Sequence, residues 1–276
     1  MLTRCRRQLG RLVAGIIFTI WLPLVGAQDL HGWVADSKVT GIQLVSVENA
    51  GTLLNFQLKN FSSTSIAALV IATPDGNKHF ADFSREELAP NAVYSLLIDS
   101  AAVADVKHAI SLVALVRADG SAEGLQPEIN FVRAMLIGAT LETERLRRIL
   151  TMPAFTKDMI DADLEDLNKR VGRKPASVEE AIASVREVRQ PDLSVEAMHD
   201  VGPQEQGGLL LGVGQTREVL LRRLLHAKAL PETESASLTA RTAFMSELRK
   251  QYTDSSTRMA ALLKRFQSLQ SGGDNE

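Results

Sequence analysis

The sequence predicts an α+β chain of two regions: an antiparallel β-sandwich, then an α-helical region that ends in one long helix. Three observations predict it. Between Lys38 and Ala118, apolar residues alternate or run in short blocks divided by turn residues. After Gly124 they recur every three or four residues instead. From Leu238 to Leu269 that recurrence becomes a regular heptad seam.

The strands come first. Leu54, Phe56 and Leu58 alternate with Asn55, Gln57 and Lys59, the two-residue period of a half-buried strand. Residues 42–47, 66–73, 94–99 and 112–117 are short runs rich in Val, Ile and Leu, and 79–83 is a weaker one. Turn chemistry divides them at Asn49-Ala50-Gly51, at the serine-rich 62–65, at Pro74-Asp75-Gly76-Asn77, at Pro90-Asn91 and at Asp119-Gly120. Six strands over 38–121 fit an immunoglobulin-like (Ig-like) sandwich, with the segment near Trp33 available as a seventh. The cysteine pair and core tryptophan of antibody domains are missing, so another small sandwich or a partly open barrel fits the same pattern. Residues 101–109 read as a short helix or a loop.

The helical region is expected over 125–270. Pro127 suits a first helical turn, and Ile129, Val132, Leu136, Thr140, Thr143, Leu146 and Leu150 recur behind it until Pro153. Phe155 to Val171 makes a second helix, closed by Gly172 and Pro175. Ser177 opens a short third one through Val178, Ile182 and Val185. Residues 191–202 read as a linker. A helix over about 204–230 follows, weakened at its start by Gly207, Gly208, Gly212 and Gly214. In the last helix, Leu238, Arg241, Met245, Leu248, Tyr252, Ser255, Met259, Leu262, Phe266 and Leu269 form the seam, which Arg241 and Ser255 interrupt. The seam can pack against the preceding helix across Pro231 or join two subunits. The internal hairpin is favoured because short loops make antiparallel neighbours. The tail 271–276 is polar and expected to be disordered. Ile137-Gly138-Ala139-Thr140 and Val213-Gly214-Gln215-Thr216 resemble each other 76 positions apart, and chance explains this best.

The N-terminus reads as a secretory signal peptide over 1–27. Arg4, Arg6, Arg7 and Arg11 precede an apolar run from Leu12 to Val25, and Val25 and Ala27 are the small residues a signal peptidase recognises. An uncleaved anchor is the alternative. Residues 28–37 then lead into the sandwich. The only cysteine, Cys5, lies within this leader, so the mature chain would have no thiol or disulfide. Removing the four leader arginines from the 31 Lys+Arg leaves 27 against 33 Asp+Glu, a net charge of −6. That mild acidity argues against a nucleic-acid partner. No later segment is long and apolar enough to span a membrane.

No catalytic, cofactor or metal signature stands out. Asp158, Asp161, Asp163, Glu165 and Asp166 are dense, but they lack the glycine and final glutamate of a calcium loop and read as a solvated helix face. None of His31, His79, His108, His199 and His226 has a metal-ligand spacing. The glycines of 207–214 do not follow a strand in a phosphate-binding arrangement and suit close helix packing. Arg145, Arg147 and Arg148, and separately Arg217, Arg222 and Arg223, stand beside Glu142, Glu144 and Glu218, as intrahelical ion pairs do. Asn60-Phe61-Ser62 matches a glycosylation sequon by pattern.

The strand 52–60, Leu88-Ala89-Pro90, and the passage from Arg117 into a helix ending Glu144-Arg145-Leu146-Arg147-Arg148 resemble uncharacterised exported proteins of soil bacteria. These have a leader, an Ig-like domain and then helices. The resemblance implies architecture and export, periplasmic or extracellular, and no activity. The leading expectation is therefore a non-enzymatic binding or scaffold protein of the envelope, without cofactor or metal. It would have a protein partner, or self-associate through the 238–269 helix. Two alternatives stand beside it. One is a hydrolase with a site between the regions, drawing on His199 and Asp200. The other is a periplasmic chaperone or assembly factor.

Overall fold

The computed structural model describes residues 33–34, 37–84, 86–100, 110–151, 160–186, 188, 202–228 and 234–272. The expected leader 1–27, residues 101–109, most of the expected 191–202 linker and residues 273–276 lie outside them. Within them the order is β1 (Ile42–Ala50), β2 (Leu53–Asn60), β3 (Ile66–Ala72), β4 (Lys78–Asp82), β5 (Val93–Asp99), β6 (Ser111–Arg117) and β7 (Ala122–Gly124). Then come α1 (Gln126–Leu150), α2 (Ile160–Val171), α3 (Val178–Val185), α4 (Pro203–Lys228) and α5 (Glu234–Gly272).

The strands form two antiparallel sheets, ordered β1-β2-β5 and β4-β3-β6-β7. The expected seventh strand near Trp33 is reduced to one bridge, Val34 to Ile110, among the described residues. The seventh strand is β7, too short to show a period in the sequence. It ends at Gly124, which has φ +120°, and a Cβ there would stand 2.2 Å from the Val113 carbonyl oxygen.

The two sheets bury different kinds of strand. β2 sends Phe56 and Leu58 into the space between the sheets, where they meet Ile66, Leu69, Ile71, Leu96, Ile98, Leu112 and Leu115. Asn55, Gln57 and Lys59, on its other face, are only partly buried. β3 (IAALVIA) and β6 (SLVALVR) have no such polar alternation. Their second face carries Ala68, Val70, Ala114 and Val116, which pack on Val132, Met135 and Leu136 of α1. A strand apolar on both faces needs cover on both faces. The four-stranded sheet is therefore the middle layer, with the smaller sheet on one side and the helices on the other.

α1 is the central helix. Every residue from Ala134 to Glu144 is buried. α4 runs parallel to it, since Phe131 meets Gly208, Met135 meets Gly212 and Glu142 meets Arg217. Their backbones nearly touch. A Cβ on Gly208 would lie 2.4 Å from the Phe131 carbonyl oxygen, and one on Gly212 only 2.0 Å from that of Met135. The glycines that weaken the start of α4 as a helix thus let it lie against α1. The faint 76-residue similarity falls on these two helices, at nearly the offset of their contacts.

α5 runs antiparallel to α1, with Ser256 on Glu144 and Arg249 on the Leu150 carbonyl. The seam residues from Arg241 to Phe266 are all buried, including Arg241 and Ser255. They face α1 and the sheet more than α4, which differs from the simple hairpin expected. The β6–β7 turn docks on the same helix, where a Cβ on Gly120 would meet the backbone of Arg265 and Phe266 at 2.7 Å. No helix among the described residues is long and apolar enough to cross a membrane.

Candidate functional site

Two polar centres organise the helices, and one groove opens where helices and sandwich meet. The first centre is Glu142, fully buried in α1. Arg145 donates to both of its oxygens at 2.9 and 2.6 Å, and Arg217 of α4 does so at 2.9 and 3.2 Å. Both arginines use further donors elsewhere. Arg145 caps the Arg170 and Val171 carbonyls at the end of α2. Arg217 donates to the Arg173 carbonyl and to Ser184 of α3. One carboxylate thus fixes α4 and the α2–α3 turn to the central helix. The Glu142–Arg145 pair is legible as an i,i+3 neighbour in the sequence, whereas the Arg217 contact crosses 75 residues and is not.

The second centre is Glu144. Burial pushes its carboxyl group up. Hydrogen bonds from Arg147, Arg148 and Ser256 outweigh that effect and hold it down at about 2. A carboxylate depressed in the fold contributes stability above its ordinary value of 4.5, and that contribution is lost as pH falls through about 2. Glu144→Gln is therefore expected to destabilise the chain by on the order of 2 kcal/mol at pH 6. The gap to wild type should shrink as pH falls below 4.5, and urea midpoints across pH 2–6 would show it. A gap independent of pH would remove the ionic account.

The groove lies between the edge strand β4 and helix α4. Phe80, Ala81, Asp82 and Phe83 line one wall, Gln215, Glu218, Val219 and Arg222 the other, and Tyr94 of β5 the end, around a cavity of about 470 Å³. Arg223 also borders a second cavity of about 380 Å³ beside Glu86, Asp254 and Arg258. Phe80 is held by stacking on Phe131 of α1, centroids 4.3 Å apart, and Phe83 by an edge contact with Tyr94 at 5.0 Å. Burial pushes the Tyr94 phenol up. Glu218 pairs with Arg222 in the same helix at 2.5 Å, and with Asp82 and Arg223 the lining holds two acidic and two basic side chains. Phe80, Phe83, Tyr94 and Val219 supply the apolar part of the lining, and Asp82, Glu218, Arg222 and Arg223 the charged part.

The sequence-marked residues fall mostly elsewhere. Val25 and Ala27 lie outside the described residues, as do His199 and Asp200. Glu165 and Asp166 are exposed and pair with Lys169 and Arg170, as a solvated face does. Among the described residues no cluster of His, Cys, Asp and Glu could hold a metal ion. Asn60 of the sequon is fully buried. Its amide donates to the Thr64 and Leu88 carbonyls, so it braces a turn and is closed to glycosylation in the folded chain.

Comparison with protein-family models, with curated proteins and with solved structures finds no match.

Proposed function

We propose that the chain is an exported, non-enzymatic binding protein of the bacterial envelope, whose binding surface is the groove between β4 and α4. The leader supports export, periplasmic or extracellular, with cleavage after Ala27. The strand order β1-β2-β5 against β4-β3-β6-β7 supports an Ig-like sandwich, an architecture that places binding surfaces on a rigid frame. The helices act as the scaffold, since α1 ties the sheet, α4 and α5 into one core.

The groove carries this proposal. Phe80, Phe83, Tyr94 and Val219 give it a partly open apolar lining, and Val219 is exposed although it faces the sandwich. A protein partner presenting apolar side chains would close it. Self-association through 238–269 would have to use the outer face of α5, because the seam is turned inward.

A photo-crosslinker at Val219, in cells expressing the full chain, tests the site. It is expected to capture a discrete partner in the envelope fraction, whereas the same probe at exposed Lys250 of α5 captures none. Equal labelling from both positions would sink the groove as the binding surface, and recovery of the chain in the cytosol would sink export.

A further inference from the structure

We propose that β5 is a self-association edge, and that two copies of this chain join through it into one six-stranded sheet. This goes beyond the groove and does not depend on it.

The two sheets have four edge strands, and three are guarded. β1 carries a register shift between Leu44 and Ser46, with Glu48 beyond it. β4 has five residues, with Lys78 and Asp82 at its ends. β7 has three, and the Glu123 carboxylate takes the Thr40 N–H beside it. Charges, bulges and short lengths are the usual defences of an edge. β5 has seven residues and, apart from terminal Asp99, none of these defences.

The direction of its backbone groups follows from the register. Asn60 donates to the Ala92 carbonyl and Ser100 to that of Thr52, so the even-numbered residues of β5 face β2. Val93, Ser95 and Leu97 therefore turn their N–H and C=O away from β2. No described strand pairs with that edge. These three residues lie on the exposed face of the sheet, where Val93 is 47% and Leu97 55% exposed. An edge with no described strand beside it, next to exposed aliphatic side chains, is a template for another strand.

A second copy fits it better than an arbitrary strand. With a two-fold axis through Ser95, Val93 of one copy faces Leu97 of the other and the reverse. Both exposed aliphatic residues gain an apolar cross-strand partner. Asp99 then lies beyond the paired stretch, level with the Pro90-Asn91 turn and not opposite its own copy. An axis at Leu96 would set Asp99 against Val93, and one at Leu97 would leave Val93 without an aliphatic partner. The axis at Ser95 is thus the register that pairs both exposed aliphatic residues.

Cysteine cross-linking tests that register in the full chain carrying Cys5→Ser. Opposed Cα atoms in such a pair are about 5.5 Å apart, within disulfide reach. Ser95→Cys is expected to oxidise to a covalent dimer. Leu97→Cys alone is not, but a mixture of Val93→Cys and Leu97→Cys proteins should cross-link to each other. Without cysteines, light scattering should show a dimer that exposed Leu97→Lys converts to a monomer that still unfolds cooperatively. Three outcomes would each overturn the proposal: a monomer at all concentrations, Ser95→Cys cross-linking no better than Leu97→Cys, or Ser95→Cys trapping a different protein.

Discussion

Gly212→Ala is expected to cost the chain about 3 kcal/mol or more, and to leave little folded protein if α4 cannot move. One added methyl group would stand 2.0 Å from the Met135 carbonyl oxygen and 2.9 Å from the Ala139 nitrogen. Both obstacles are backbone of a helix buried on every side, so neither can rotate away. The helices would have to separate by roughly an ångström, opening the Val213–Leu136 layer that joins them to the sheet. Gly208→Ala should follow the same course, because its Cβ meets the Phe131 carbonyl at 2.4 Å. Gly207 is the control. Its Cβ would meet only the Phe131 ring edge, at 3.4 Å. Gly207→Ala should be neutral or should stabilise the helix by about 0.5–1 kcal/mol, the usual difference in helix propensity. Urea denaturation of the three variants checks the ranking. Similar costs for Gly207 and Gly212 would mean that close packing is not what these glycines provide.

Those glycines show which parts of the fold can be read from sequence. Local period is legible. The alternation of β2, the three-four spacing of α1 and the Ser177 cap of α3 all mark elements that form. What surrounds an element is less so. The unbroken apolar runs of β3 and β6 do carry the signal that both faces are covered. The six-strand count alone, however, cannot say that helices provide the second cover. α1 is harder still. Glu142 and Glu144 look like a solvent face, yet both are buried, because Arg217 of α4 reaches the first and Ser256 of α5 the second. The groove was invisible for a related reason. Its walls come from β4, β5 and α4, so no single window of sequence contains it. Edge exposure behaves the same way. Val93, Ser95, Leu97 and Asp99 are legible as one face of a strand, but only sheet order makes that strand an edge.

The second large effect is expected at Glu142. Glu142→Gln keeps the shape of the side chain but removes its charge, and should cost about 3–5 kcal/mol. Arg145 can turn partly to solvent, its side chain being 16% exposed. Arg217 cannot, at 7%, so its guanidinium would stay inside without a counter-charge. Arg217→Met should cost less, because Arg145 still grips the carboxylate at both oxygens. The pair of changes together should cost less than their sum by about 1.5 kcal/mol or more, since the second removes the charge that the first strands. Additive costs in a double-mutant cycle would mean that the two groups do not act as one unit. The consequence reaches the groove. Arg217 lies on α4 between Gln215 and Glu218, which line it, and its other donors hold Arg173 and Ser184. Loosening Glu142 therefore frees the wall that carries Val219 while the β4 wall stays fixed by Phe80 on Phe131. A partner that needs both walls at a set distance should be lost in Glu142→Gln at temperatures where that variant is still folded. Crosslinking from Val219 in the variant reads that loss directly. Retained capture at full yield would show that the buried carboxylate stabilises the core without setting the width of the groove.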